Sequence, residues 1–123
     1  MAFCFDFMNS IISIKKNEDF IKIYKNGKSK ANRYLVMYVS KVEDNSVRIG
    51  ISVSKKVGNS VVRHRVKRLI KESFRLHVNQ VKTGYDIVVI ARQSAKDKDY
   101  KEIESALLHL FKIHNLLVNN EKE

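Results

Sequence analysis

The chain has 123 residues, 44% apolar and 30% charged, with 24 Lys and Arg against 13 Asp and Glu, a formal charge of +11 and one cysteine. This length and apolar content suit a single α+β domain, 1–123, with a core of its own, and exclude a disordered polymer. The lone Cys4 excludes an internal disulfide and fits a reducing, cytoplasmic setting, the four histidines lack metal-ligand spacing, and the basic excess points to a polyanionic partner.

Residues 1–12, MAFCFDFMNSII, are apolar but carry Asp6 and lack a basic start and a small-residue cleavage site. They are too short to cross a bilayer and read either as a flexible or additional N-terminal extension or as an early start with Met8 as the true beginning. Asn17-Glu-Asp-Phe opens a first helix, with Asn17 as the expected cap, Glu18 and Asp19 at the positive end of the dipole, and Gly27 placed to stop it. Phe20 and Tyr24 share one face of that helix and read as core at first sight. Lys28, Lys30 and Arg33 form a basic connector.

Tyr34 to Ser40 alternates as a strand, Glu43-Asp-Asn-Ser is a turn, and Val47 to Ser54 alternates again. In the second strand Val47, Ile49, Ile51 and Val53 form an apolar face, while Arg48, Gly50, Ser52 and Ser54 form a small polar one. A sheet face with tyrosines, hydroxyls and cations suits unpaired nucleotides, whose bases stack while their phosphates meet positive charge. The alternative is that a helix covers this face and the tyrosines are half-buried packing.

From Lys55 to Arg75 the chain reads KKVGNSVVRHRVKRLIKESFR, eight cations against one carboxylate, Glu72, for a formal charge of +7. Gly58 breaks the chain and Asn59 caps a helix on which Val62, Val66, Leu69, Ile70 and Ser73 share one face, with Phe74 and His77 at its edge. Arg63, Lys67 and Lys71 form a row beside that face, and His64, Arg68 and Arg75 another. Like charges one turn apart destabilise an isolated helix, and solvated helix faces usually mix signs, so a polyanion is the better explanation of the row.

Lys82-Thr-Gly turns into Tyr85 to Ala91, an apolar run expected at the centre of a sheet, and a last helix runs from about Asp99 to Leu117 with Ile103, Leu107 and Leu110 in its packing stripe. The order is α-β-β-α-β-α, and strand, helix, strand reads as a crossover between parallel strands. No Gly-rich phosphate loop or pair of isolated carboxylates is present, so no catalytic residue and no protein metal site is expected.

The run Ile51 to Phe74, with its lysine pair, Gly58-Asn59 and Arg63-His-Arg-Val-Lys-Arg68, resembles the signature of the protein subunit of bacterial ribonuclease P. The likeness extends to Lys15-Lys-Asn-Glu-Asp-Phe20, Ala31-Asn-Arg33, Asp86 to Arg92 and the final helix; His64 stands where that family usually has Asn, and the Arg- and Lys-rich start common in relatives is missing. The resemblance implies a mixed sheet with helices packed on one face, an open cleft and a left-handed β-α-β crossover. It implies an endoribonuclease subunit for tRNA 5′ maturation whose catalyst is a magnesium-dependent RNA. It also implies two partners, that RNA and precursor tRNA, with no membrane and no obligate protein partner. Arg63, His64, Arg65, Lys67, Arg68, Lys71 and Arg75 would meet the catalytic RNA. Phe20, Tyr24, Tyr38, Ser52, Lys55 and Lys56 would line a cleft for the single-stranded 5′ leader. A general nucleic-acid-binding module, an unaided protein nuclease and a membrane-surface protein are the competing readings.

Overall fold

The computed structural model describes residues 11–118, so Cys4, Met8 and most of the N-terminal extension lie outside the described residues. The elements are β1 (Ile11–Ser13), α1 (Asn17–Asn26), β2 (Lys28–Ala31), β3 (Leu35–Lys41), β4 (Val47–Ser52), α2 (Ser60–His77), β5 (Tyr85–Ala91) and α3 (Tyr100–Ile113). They form one five-stranded sheet ordered β1-β4-β5-β3-β2. β4 runs parallel to both β1 and β5, and β3 antiparallel to both β5 and β2. The expected α-β-β-α-β-α order and mixed α+β sheet hold, with two short edge strands added.

Both additions correct the sequence reading. Lys28 to Ala31 is not a plain connector but an edge strand paired with Val36–Val39. Its side chains are all exposed, which removes the alternation that marks a half-buried strand. At the other edge Ile11 and Ile12 belong to β1, whose backbone pairs with Val47 and Arg48.

β5 sits at the centre because both its faces are covered, with Ile87, Val88 and Val89 fully buried. On one face, α2 contributes Val66, Ile70 and Phe74 and α3 contributes Ile103, Leu107, Leu110 and Phe111 to a core floored by Leu35, Met37, Ile49 and Val89. Phe74 and Phe111 meet across the helix pair with ring centroids 6.0 Å apart, and His77 Nε2 lies 2.7 Å from Glu104 Oε2. On the opposite face α1 packs Ile23 and Phe20 against Val88, Tyr38 and Ile90. The first helix therefore covers part of the polar sheet face.

Local signals set some boundaries and distant contacts move others. Asn59 Oδ1 accepts from Val62 N at 3.0 Å, capping α2 as its sequence predicts. Asn17, expected as a cap, is instead the first residue of α1: Lys16 takes the cap position without a side-chain bond. α3 stops at Ile113, short of Leu117, because Asn115 adopts a left-handed φ of 60° and turns Leu116 into the core.

One polar link spans the α1 side of the sheet. Arg48 on β4 donates through Nε and Nη2 to the two carboxylate oxygens of Asp86 on β5, at 2.9 and 2.7 Å, and its Nη1 lies 3.8 Å from Asp19 of α1. Asp86 is 5% exposed, so the fork-to-fork geometry satisfies a carboxylate that water barely reaches. Asp86→Ala should lower the unfolding free energy by about 2 kcal/mol in urea denaturation, since the guanidinium loses both short bonds. An unchanged midpoint would show that this pair contributes nothing to stability.

Candidate nucleic-acid interface

The cations of α2 fall into two groups. Arg63 and Arg65 are engaged within the fold: Arg63 Nε donates to Gly58 O at 3.2 Å, and Arg65 Nη2 donates to Lys98 O at 2.7 Å in the segment before α3. Arg75 forks onto Glu72, holding that carboxyl below its usual range chiefly through the side-chain hydrogen bond. His64, Lys67, Arg68 and Lys71 are exposed, and none of the four makes a hydrogen bond or ion pair with another described residue. The helix thus carries the uncompensated charges of Lys67, Arg68 and Lys71, while Arg63 ties its first turn to the preceding loop and Arg65 ties its face to the segment before α3.

Two adjoining depressions run beside this row. The smaller, about 190 Å3, is lined by Val53, Ser60, Arg63, His64 and Lys67. The larger, about 490 Å3, lies between α2 and the β1–β4 edge, with Ile49, Ile51 and Phe74 on the sheet and helix walls and Lys15, Lys67, Arg68 and Lys71 among its lining residues.

On the other face of the sheet, Phe20, Tyr24 and Tyr38 form a connected aromatic group. Ring centroids lie 6.3 Å apart between Phe20 and Tyr24 and 4.9 Å apart, edge to face, between Tyr24 and Tyr38. Gly50 makes this possible: a Cβ there would stand 2.7 Å from the Phe20 ring, so only a glycine lets the ring lie on β4. Tyr24 remains 37% exposed. Partial burial, and secondarily Tyr38, push its phenol above the ordinary value, which keeps it a neutral donor. Ser52 is half-buried in the next row of the same face, level with Ile90 and Val36. Lys55 and Lys56 are exposed on the turn between β4 and α2.

The structure therefore brings Phe20, Tyr24 and Tyr38 together and places Ser52 in the neighbouring row. It puts the α2 cations on the opposite side of the same sheet. What sequence reasoning missed is the Arg48–Asp86–Asp19 link behind the aromatic group, and the structural engagement of Arg65. The alternating strand placed Arg48 on the polar face, but Asp86 sits inside an apolar run whose period gave no sign of a buried carboxylate. Among the described residues no three His, Cys, Asp or Glu side chains converge as a metal site, and no helix is long and apolar enough to cross a membrane.

The family model described as Ribonuclease P matches residues 8–115. The ribonuclease P protein component of Lachnoclostridium phytofermentans is 56% identical over 111 residues, covering 90% of this chain and 96% of that one; that of Alkaliphilus oremlandii is 54% identical over 110 residues, covering 89% and 96%. Among solved structures, the Staphylococcus aureus RNase P protein superposes with a TM-score of 0.80 at 47% identity, over 85% of this chain and 96% of that one. The Thermotoga maritima protein does so at 0.76 and 33% identity, over 82% and 96%. The family model spans most of the chain, the curated relatives match it at more than half of the aligned positions, and the solved structures share its fold: the chain belongs to the bacterial ribonuclease P protein family.

Proposed function

We propose that the protein docks on the catalytic RNA of ribonuclease P through α2 and holds the single-stranded 5′ leader of precursor tRNA against the α1 side of the sheet. The observation that carries this reading is the exposed row of Lys67, Arg68 and Lys71, with His64 beside them, which no carboxylate among the described residues pairs. Cations so placed displace condensed counterions from RNA phosphates, a gain in solvent and ion entropy that is sequence-independent. Arg63, Arg65 and Arg75 contribute field to the same surface while their hydrogen bonds go to Gly58, to Lys98 and to Glu72.

On the opposite face, Tyr24 and Phe20 offer ring surface to unstacked bases, Tyr38 and Ser52 offer hydroxyls, and Lys55 and Lys56 offer charge to the leader phosphates. Product lacks the leader, so this contact favours substrate over product. The chemistry belongs to the RNA, with magnesium bound there rather than by protein side chains, and the reaction takes place in the cytoplasm. The protein supplies binding and orientation and no group that touches the scissile phosphate.

The direct test is reconstitution with a transcribed catalytic RNA, measuring precursor tRNA cleavage at low magnesium. Cleavage is expected to rise on adding the protein and to be absent with protein alone; cleavage by RNA-free protein would overturn the assignment. Arg68→Ala with Lys71→Ala should make the slope of log affinity for that RNA against log salt shallower by about 1.4–1.8, two phosphate contacts' worth. Tyr24→Ala should weaken binding of leader-containing precursor about tenfold and leave leaderless tRNA unchanged. Equal losses for both substrates would remove the leader from the α1 cleft.

A further inference from the structure

The groove of about 490 Å3 between α2 and the β1–β4 edge is more than a phosphate track needs. Phosphate docking asks for cations on a surface. Here the cations stand over an apolar recess, with Ile49, Ile51 and Phe74 lining it below and Ser13 to Lys15 forming the far wall. Its volume lies within the range of small-molecule sites, roughly 300–1,000 Å3. Lys15, Lys67, Arg68 and Lys71 put charge on its rim from both sides, and its single carboxylate, Glu72, is held by Arg75.

An apolar slot closed by cations fits a ligand with a flat uncharged body and an anion at each end. We infer that this groove receives one unstacked nucleotide of the RNA that α2 binds: the base enters between Ile51 and the Ser13–Lys15 wall, above the buried Phe74, and its flanking phosphates meet Lys15 on one rim and Lys67, Arg68 or Lys71 on the other. The inference rests on the docking role proposed for α2 and adds a base pocket to it. Charge complementarity selects this occupant: a neutral apolar peptide would fill the recess but leave the rim uncompensated. β4 makes the pocket separate from the leader cleft, because Ile49 and Ile51 point to the α2 side while Gly50 and Ser52 point to the α1 side.

The test uses the full chain and the transcribed catalytic RNA. Ser13→Phe places a ring at the mouth of the groove without removing a charge. It should lower affinity for the RNA about tenfold, a stacked base's contribution, while leaving the salt slope as in wild type. Affinity equal to wild type for a folded Ser13→Phe protein, alongside a flattened slope for the Arg68/Lys71 double variant, would overturn the base pocket and leave the docking role standing. If neither variant had any effect, the docking role itself would fall. Ultraviolet crosslinking of the wild-type complex reads the contact without a substitution. Nucleotide adducts on peptides containing Ile51 or Ser13 to Lys15 are expected; adducts confined to α1 and β3, or crosslinks from the groove to another segment of this chain, would overturn the proposal.

Discussion

The structure depends on one conflict and its resolution: α2 repels itself electrostatically and is held helical by what it buries. Arg63, Lys67 and Lys71 stand one turn apart, and each like-charged pair works against an isolated helix by a few tenths of a kcal/mol. Val66, Ile70 and Phe74 are at most 2% exposed, and burying side chains of this size contributes about 1.5–3 kcal/mol each. Burial wins comfortably, so the helix keeps its charge row and the row remains free for a partner. A polyanion that binds there relieves the repulsion as well as adding contacts.

A single strand separates the two surfaces. β4 alternates Ile49 and Ile51 toward α2 with Arg48, Gly50 and Ser52 toward α1, the period of two that any strand has. What is unusual is that both sides remain partly open. On the α2 side the short β1 leaves a recess beneath the cations, and on the α1 side Gly50 admits the Phe20 ring and leaves Tyr24 at the surface. Two ribonucleotide chains approaching from opposite sides of one sheet would not compete for space, as the docking and leader-holding roles proposed above require.

The carboxylates are arranged to permit this. Asp86 and Asp19 serve Arg48, Glu72 serves Arg75, Glu104 lies against His77, and Asp99 caps α3 in a reciprocal box with Glu102. None reaches His64, Lys67, Arg68 or Lys71. Among the described residues, therefore, the excess of cations over acids is least neutralised along α2.

Local spacing determined a good deal by itself. The Asn59 cap, the buried face of α2, the alternation of β4, the apolar run of β5 and the stop at Gly27 all rest on residues within four positions of one another, and each is found in the structure. The cationic row was legible for the same reason, since a helix converts spacing into a face. What only the tertiary structure decided depends on residues far apart in the chain: Arg48 with Asp86, 38 positions away, Arg65 with Lys98, 33 away, and the edge strand Lys28–Ala31, whose pairing with β3 leaves no burial pattern in its sequence. The groove beside α2 belongs to this second class, because its walls come from β1, β4 and α2. Periodicity reports which way a side chain faces along its own element; which element it meets is fixed by chain closure over tens of residues, and no short window of sequence carries that information.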